Sequence, residues 1–181
     1  MPNYRRAHDG NCFFFTLVSA NRNPVLCEPE VRTTLRYMVK EAQHRWPFEI
    51  NAWVLMPDHL HTIWTLPLED RNYSRRWGWI KKEVTKEVRG LEGDLAGATE
   101  QLAGRAHPTF WQRRFWEHRI RDERDFANHC DYIHYNPVKH GLCSAPADWP
   151  FTTFHRFMKQ NIYPPDWGAD PISLPNNIGN E

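Results

Sequence analysis

Hydrophobic residues follow two different spacings along the first part of the chain, and each spacing predicts one kind of element. The continuous apolar and aromatic run Cys12-Phe-Phe-Phe-Thr-Leu-Val-Ser-Ala20 is typical of a buried strand. From Pro29 onward, apolar side chains recur every three or four residues, which predicts a helix. Trp46-Pro47 ends this helix, because a residue that precedes proline disfavours the helical conformation.

A hairpin and a second helix are predicted next. Two strand-like runs, 48–56 and 59–66, are separated by Pro57-Asp58. Proline presets the backbone for a tight turn and aspartate can close it, so the two runs are expected to pair with each other. A helix then begins after Asn72 or Ser74, both of which are good capping residues.

The pattern continues with a less regular second half. We expect the second helix to run to about Arg89 and the Gly- and Ala-rich stretch 90–107, which has no periodicity, to be a flexible insertion. The aromatic run 109–120 predicts a further strand. A third helix is expected over 122–135, ended by Pro137.

The order strand–helix–strand–strand–helix–strand predicts a ferredoxin-like α+β fold. In this fold an antiparallel sheet carries helices on its faces, and here one additional helix follows the last strand. A length of 181 residues suits one domain with a tail. We expect residues 1–163 to form the domain, with a short helix near 152–158, and residues 164–181 to be a mobile or regulatory tail.

Composition narrows the class of protein only slightly. Lys and Arg number 23 against 22 Asp and Glu, which leaves a formal net charge of +1. No apolar run approaches the ~18 residues of a membrane span, and the N-terminus lacks the apolar core of a secretory signal. The four cysteines lie far apart without a C-x-x-C pair, so they indicate neither a zinc site nor disulfides. We therefore expect a cytoplasmic protein with no membrane contact.

The segment Met56-Pro-Asp-His-Leu-His61 carries the first candidate chemistry. Residues two apart on a strand project from the same face, so His59 and His61 present two imidazoles side by side just after a turn. Two neutral imidazoles at this spacing can share one divalent cation and leave positions open for substrate oxygen. In a chain with ten histidines the pair also arises by chance. A metal site and a chance pair both stay open on this motif alone.

A second candidate for chemistry is the segment Asp131-Tyr-Ile-His-Tyr-Asn-Pro-Val-Lys-His-Gly141. Tyr132 and Asn136 are four residues apart and lie on one face of a helix, whereas Tyr135 flanks that face less directly. An amide oxygen can complete the ligand set of a hard cation, and a phenol beside the metal can attack phosphorus. Alternatively, both tyrosines are packing aromatics and Asn136 caps the helix before Pro137.

Basic residues cluster in two stretches of this nearly neutral chain. Between Arg71 and Arg89 there are seven bases and two acids, and further arginines are interleaved with the aromatic residues of 111–116. Such clusters indicate a local phosphate-binding surface, although a solvated helix face explains them equally well. The candidate DNA-binding residues are Arg5, Arg6, Arg75, Arg76, Lys81, Lys82, Arg113, Arg114, Arg119, Arg121 and Lys139.

Three blocks in this order resemble the single-tyrosine HUH transposases, and more narrowly the REP-associated tyrosine transposases of bacteria. The blocks are Trp53-Val-Leu-Met-Pro-Asp-His-Leu-His61, Phe110-Trp-Gln-Arg-Arg-Phe-Trp-Glu-His118 and Tyr132-Ile-His-Tyr-Asn-Pro-Val-Lys-His-Gly-Leu142. Each block is modest alone, but their order and spacing cover most of residues 10–158. The stretch 90–107 falls where such chains vary in length.

The resemblance implies an enzyme that acts on single-stranded DNA with Mg²⁺ or Mn²⁺ and forms a covalent phosphotyrosine. It assigns His59 and His61 to the HUH pair, Tyr132 to the nucleophile and Asn136 to the third metal ligand. Insertion-sequence enzymes usually have Gln at this last position, so Asn fits the REP-associated branch. Tyr132 would become joined to the 5′ phosphate and release a 3′-hydroxyl, which keeps the phosphodiester energy for a later rejoining step.

The resemblance also implies partners and a location. The family recognises imperfect palindromes that fold into hairpins, so we expect single-stranded and hairpin DNA as partners. The expected location is the bacterial cytoplasm, at the nucleoid when the protein is bound to DNA, and a monomer is favoured over a dimer. Two alternatives stay open: a metal-dependent phosphoesterase that uses activated water, and a domesticated hairpin-binding protein that no longer cleaves.

Overall fold

Four strands form one antiparallel sheet in a computed structural model that describes residues 11–94, 110–174 and 178. The sheet order is β2-β3-β1-β4, with strands β1 (Cys12–Val18), β2 (Glu49–Leu55), β3 (His59–Thr65) and β4 (Trp116–Arg119). The helices are α1 (Pro29–Arg45), α2 (Tyr73–Asp94), α3 (Glu123–Lys139) and α4 (Phe154–Lys159). Two short 3₁₀ turns are Ala20–Arg22 and Pro146–Asp148. This order of elements and strands confirms the predicted ferredoxin-like α+β fold.

Both faces of the sheet are buried, and the central strand β1 shows how. Its successive side chains point to opposite faces, so that Phe15 joins the core formed with α1 and α2 while Phe14 joins the core formed with α3. In the first core the rings of Trp64 and Trp77 stack with their centroids 4.0 Å apart. Burial on both faces explains why these strands are nearly continuous apolar runs in the sequence.

Helix α3 lies on the second face and extends further than predicted. The Asp122 carboxylate caps its start by accepting a hydrogen bond from the Asp125 backbone N–H (2.8 Å). Pro137 lies inside the helix rather than ending it, since one missing N–H near the end removes a single helical bond. The helix ends instead before Gly141 (φ +69°), where the Leu142 N–H donates to the Pro137 carbonyl (2.9 Å).

Helix α2 also extends beyond its predicted end, by five residues. It begins after Asn72, whose side chain accepts a hydrogen bond from the backbone N–H of Arg75 (3.1 Å). It then passes through Gly90, where an added Cβ would meet no neighbouring atom. The start of the predicted insertion 90–107 is therefore helical, because glycine lowers helix stability by only about 1 kcal/mol and need not end a long helix. The rest of that insertion lies outside the described residues.

The strand predicted over 109–120 is shorter in the structure. Only its last third is regular strand, and Trp111 makes an isolated bridge to Ser19. Between these parts the carbonyl oxygens of Gln112 and Arg113 accept hydrogen bonds from Lys81 Nζ (2.7 and 3.2 Å). Because these carbonyls are bound by a lysine, they do not continue a strand ladder.

The beginning of the C-terminal tail packs against the domain. The Trp167 ring lies 4.4 Å from the ring of Tyr163 and 5.8 Å from that of Phe154. Gly168 follows with φ +76°, and a Cβ there would come within 2.8 Å of Pro146 Cγ. Only glycine fits this close approach, so the tail turns at a fixed place beside α3.

All four cysteines are free thiols. Within the described ranges, no helix has both the length and the apolar character needed to cross a membrane.

Candidate active site

The histidine pair of the sequence motif lies at the start of β3, on the face covered by α3. The strand register pairs His61 with Thr16 and His59 with Val18 of β1. His59 and His61 are 1% and 0% exposed, and their ring centroids are 4.9 Å apart. The strand periodicity thus brings two buried imidazoles together beside the hairpin turn.

Each imidazole is held in place through its Nδ1 atom. His59 Nδ1 donates to the Asp58 carboxylate (2.6 Å), which also pairs with Arg22 (2.9 Å). His61 Nδ1 lies 2.8 Å from Thr16 Oγ1. With both Nδ1 atoms engaged, Nε2 is the nitrogen that each ring offers to a metal.

The negative charge of Asp58 holds His59 in this orientation. Burial alone raises the pKa of the Asp58 carboxyl, but hydrogen bonds from His59 and Arg22, together with the positive charge of Arg22, outweigh it. The net pKa of Asp58 lies below its ordinary value, so the group is a carboxylate at neutral pH. A carboxylate accepts and cannot donate there, which keeps the proton of His59 on Nδ1.

Helix α3 adds an amide and a phenol from consecutive turns. Asn136 Oδ1 lies 3.1 Å from His59 Nε2, and the Tyr132 ring centroid lies 5.1 Å from that of His61. Asn136 is 0% exposed and Tyr132 is 2% exposed. The structure therefore brings all four candidate residues of the two motifs into one buried cluster.

The donor set of this cluster fits a divalent metal ion. With its proton on Nδ1, His59 turns an Nε2 lone pair toward the Asn136 carbonyl oxygen, so two acceptors face each other across 3.1 Å. Two such atoms at this separation can serve as neighbouring ligands of one divalent cation. Together with His61 the set is two imidazole nitrogens and one neutral oxygen, which leaves further coordination positions for phosphate oxygens.

Lys139, predicted as a DNA-binding residue, lies beside the phenol. Its Nζ donates to Tyr132 Oη (3.3 Å) and lies 4.8 Å from the centre of the Tyr132 ring. A positive donor at this oxygen stabilises the phenoxide, which is the attacking form of the side chain. Tyr135 instead faces the tail, with its ring 6.4 Å from that of Trp167.

Arg113 and Arg114 are exposed candidates whose segment contacts the strand beside the histidine pair. The Gln112 N–H donates to the Val18 carbonyl (2.9 Å), and Val18 is the register partner of His59. The segment that carries these arginines therefore lies at the same end of the sheet as the histidine pair. Other exposed candidates are Arg75, Lys82, Arg119, Arg121 and Lys139, while Arg5 and Arg6 lie outside the described residues.

Arg76 is corrected from a DNA-binding candidate to a structural residue. It is 1% exposed, and its guanidinium donates to the carbonyl oxygens of Trp46 (3.1 Å) and Pro47 (3.0 Å) and to the Asp70 carboxylate (2.6 Å). These bonds tie α2 to the end of α1. Lys81 is engaged in a similar way with two backbone carbonyls, and burial lowers its pKa.

Sequence reasoning missed a second cluster at the other end of α3, formed by His118, Asp125 and His129. Their candidate ligand atoms all lie within 4.8 Å of one another. Burial raises the pKa of Asp125, but hydrogen bonds from Arg121 and His118 outweigh this effect and hold the pKa far below its usual range. Burial also lowers the pKa of His129. The available signal was the i,i+4 spacing of Asp125 and His129 on a predicted helix.

Known proteins resemble this chain over nearly its whole length. Residues 13–136 match the family model for IS200-like transposases. The REP-associated tyrosine transposase of Escherichia coli (strain K12) is 42% identical over 171 residues, which cover 94% of this chain and 93% of that protein. A Haemophilus influenzae relative assigned to the same group is 40% identical over 172 residues, covering 94% of this chain and 96% of that protein.

A solved structure agrees with these sequence matches. The structure of a REP-associated tyrosine transposase bound to a REP hairpin superposes with a TM-score of 0.72 and 39% identity. The alignment covers 99% of this chain and 100% of the other. The family match runs from β1 to Asn136, so it includes every residue of the cluster around the histidine pair.

Proposed function

The chain belongs to the IS200-like transposases and, among them, to the REP-associated tyrosine transposases, and on this premise we propose that it cleaves and rejoins single-stranded DNA beside REP hairpins. One observation carries the proposal. Two imidazoles, an amide oxygen and a phenol converge on one buried face of the sheet, and a lysine donates to the phenol. This combination suits phosphoryl transfer to a tyrosine.

Tyr132 is the nucleophile of the proposed reaction. Its Oη attacks the scissile phosphorus, a bond from phosphorus to Oη forms, and the bond to the 3′ oxygen of the preceding nucleotide breaks. The phenolic proton is lost and the departing 3′ oxygen gains one. Lys139 Nζ, 3.3 Å from Oη, stabilises the negative charge on the phenolic oxygen. The products are a 5′-phosphotyrosine and a free 3′-hydroxyl, and the reverse attack by a DNA 3′-hydroxyl rejoins the strand.

His59, His61 and Asn136 are the residues that would hold Mg²⁺ or Mn²⁺. The bound ion supplies charge neutralisation at the scissile phosphate. Around it, Asp58 fixes the orientation of His59 and Thr16 fixes that of His61 through their Nδ1 contacts. The protein thus contributes a rigid and buried ligand set, which reduces the reorganisation needed when substrate arrives.

The exposed bases around this end of the sheet are the proposed DNA-contacting surface. Arg113 and Arg114 lie where β1 ends and β3 begins, and Lys81 anchors their segment to α2, which also carries Lys82. We extend to this chain the hairpin ligand described for the related structure. Binding through these bases would weaken as salt concentration rises, because phosphate contacts release counterions.

The proposed enzyme acts as a monomer. The histidines on β3 and the tyrosine on α3 of the same chain form one cluster, so a single copy holds a complete set of groups. Its place in the cell would be the bacterial cytoplasm, on the DNA that it recognises.

A cleavage assay tests the proposal. The protein is incubated with Mn²⁺ or Mg²⁺ and a labelled single-stranded oligonucleotide that contains a REP hairpin and its flanking bases, and the products are resolved on a denaturing protein gel. We expect a covalent protein–DNA adduct with the wild-type chain. The adduct should disappear with Tyr132→Phe and persist with Tyr135→Phe, the matched control from the next turn of the helix.

Two other outcomes would replace the proposal. Strand cleavage that produces no adduct and survives Tyr132→Phe would identify a phosphoesterase that activates water. Tight hairpin binding without cleavage in either metal would identify a hairpin-binding protein on a transposase scaffold.

A further inference from the structure

We propose that His118, Asp125 and His129 form a second divalent-metal site, distinct from the candidate active site, which takes imidazole-preferring ions such as Zn²⁺. The three residues lie on β4 and on the first two turns of α3. This inference does not depend on whether the protein cleaves DNA.

The three side chains already converge on a common point. His118 Nε2 donates to Asp125 Oδ2 (2.9 Å), and His129 Nδ1 lies 3.2 Å from Asp125 Oδ1. The two imidazole rings are stacked nearly parallel, with centroids 4.6 Å apart and planes 13° apart. Two imidazole nitrogens and a carboxylate oxygen within 4.8 Å of one another form the kind of set that binds Zn²⁺, with water in the remaining position.

The local backbone provides the geometry for shared ligation. Asp125 and His129 are four residues apart on α3, so their side chains project from the same face one turn apart. His129 Nδ1 now donates to the Asp125 carbonyl (2.7 Å). That carbonyl is also the regular helical acceptor for the His129 backbone N–H, so it keeps a partner when Nδ1 turns to a metal.

Among the described residues the cluster borders a cavity, and its present counter-ion can leave. A cavity of about 260 Å³ borders the three residues, with Arg121, Arg124 and Asn128 in its wall. Arg121 now pairs with the Asp125 carboxylate (3.1 Å), but 70% of the Arg121 side chain is exposed. Because the Arg121 side chain is mostly exposed, its guanidinium can turn to solvent when a metal ion takes over the neutralisation of the Asp125 charge.

The donor charges predict which of the two sites fills first. The second cluster supplies one negative charge through Asp125, whereas the candidate active site supplies only neutral ligands from His59, His61 and Asn136. A dication therefore binds the second cluster in the protein alone. The active site reaches comparable affinity when a DNA phosphate adds its charge.

A metal at this place would position the helix that carries the proposed nucleophile. It would tie the N-terminal half of α3 to β4, two elements that the chain otherwise joins here through hydrogen bonds and ring contacts. The Phe14 ring lies between the two clusters, because its centroid is 4.8 Å from that of the His129 ring and 5.5 Å from that of the His61 ring. The second site is thus a positioning site, with its ion outside the reaction.

Metal titration of the DNA-free protein tests the proposal. Chelator-treated chains are titrated with Zn²⁺, and with Co²⁺ as a coloured probe, and the bound ion is counted after desalting. Four chains are compared: wild type, His118→Ala, the double variant His59→Ala/His61→Ala, and Asn128→Ala as a control from the same cavity. We expect one tight equivalent in all except His118→Ala, whose affinity should fall by about 100-fold.

The proposal fails if the His59→Ala/His61→Ala variant loses the tight equivalent, or if His118→Ala binds as tightly as wild type. A second measurement needs no variant: imidazole NMR signals of the wild-type chain followed during addition of one equivalent of Zn²⁺. The signals of His118 and His129 should shift before those of His59 and His61. A shift of the latter pair first, or of neither pair, overturns the proposal even if His118→Ala does not fold.

Discussion

The two ends of helix α3 present similar chemistry to the same sheet face but differ in charge. Toward its C-terminus, Tyr132 and Asn136 meet a histidine pair from β3, and the oxygen that faces His59 Nε2 belongs to a neutral amide. Toward its N-terminus, Asp125 and His129 meet His118 of β4, and the shared oxygen belongs to a carboxylate. One end combines the neutral proposed ligands with the proposed nucleophile, and the other combines an anionic proposed ligand with two imidazoles.

This difference in ligand charge suits two separate proposed roles along one helix. The cluster at the C-terminal end takes part in the reaction, and the cluster at the N-terminal end positions the helix. A neutral ligand set leaves the charge of a bound dication available to a substrate phosphate, which is what phosphoryl transfer requires. A carboxylate offsets part of that charge and favours an ion that stays in the resting protein. The sequence period along α3, with residues 125, 129, 132 and 136 on one face, places both sets in one row.

The largest expected effect on the rate of adduct formation comes from replacing a histidine with alanine in the cluster at each end of α3. His59→Ala should lower the rate of adduct formation by about 1,000-fold or more, because it removes a proposed ligand at the reacting phosphate. His118→Ala should lower the rate by at most about 10-fold, because its effect reaches Tyr132 only through the position of α3. Single-turnover adduct formation on a REP hairpin oligonucleotide measures both rates.

A conservative control separates positioning from loss of fold at the second site. His118→Gln retains a polar side chain that can reach Asp125 and should recover part of the rate lost in His118→Ala, with unchanged circular dichroism for both. Equal losses of rate for His59→Ala and His118→Ala would contradict the proposal that one end of α3 takes part in the reaction and the other only positions the helix.

The active-site end of this comparison was predictable from local spacing, and the other end was not. His59 and His61 share a face by strand periodicity, and Tyr132 and Asn136 share one by helical periodicity, so each pair follows from residues close in the chain. That the two pairs meet is a consequence of the sheet order, which the family resemblance implied. His118 joins Asp125 only because β4 pairs with β1, which places its side chain next to the first turns of α3.

The position of Arg76 also depends on contacts between residues far apart in the chain, which local sequence does not reveal. In the sequence it belongs to a basic run on an amphipathic helix, which predicts a solvated or DNA-facing side chain. Its burial depends on the carbonyl groups of Trp46 and Pro47, about thirty residues earlier, which are left free where α1 ends and lie against α2. Charge patterns therefore identified the basic region, but tertiary contacts decided which of its members are free to meet DNA.

Lys139 provides a smaller test of the active-site end. Lys139→Ala should lower the rate of adduct formation by about 100-fold, since it removes the positive donor 3.3 Å from Tyr132 Oη. Lys139→Arg should restore part of this rate because the charge is kept. Single-turnover rates across a pH series provide the measurement, and the deficit of Lys139→Ala should shrink as pH rises and phenoxide forms without help.

The control for Lys139 is Lys159→Ala, which removes an exposed lysine from the end of α4. This variant should react at the wild-type rate. If Lys139→Ala and Lys159→Ala lower the rate equally at every pH, Lys139 contributes only general attraction for DNA.

The smallest expected effect concerns the second histidine of α3, His134, which contacts neither cluster. His134 is fully buried, with Nε2 2.9 Å from Thr153 Oγ1 and Nδ1 3.2 Å from Tyr163 Oη. Burial first, and then the positive charge of Arg156, lower its pKa to about 3. It therefore shows what burial and nearby positive charge do to an imidazole of this helix that has no carboxylate hydrogen-bonded to its nitrogens.

The sign of the effect follows from proton binding. Between pH 6.5 and 3 the unfolded chain protonates His134 and the folded chain does not, so the stability of the fold decreases as pH falls through this window. From pH 7 to pH 5 this histidine alone should remove about 2 kcal/mol of unfolding free energy. Urea denaturation of wild type and His134→Gln at both pH values measures the difference. Other titrating groups affect both chains alike. An equal loss of unfolding free energy in the two chains would therefore mean that His134 is protonated without cost in the folded protein, and that burial does not keep the histidines of α3 neutral.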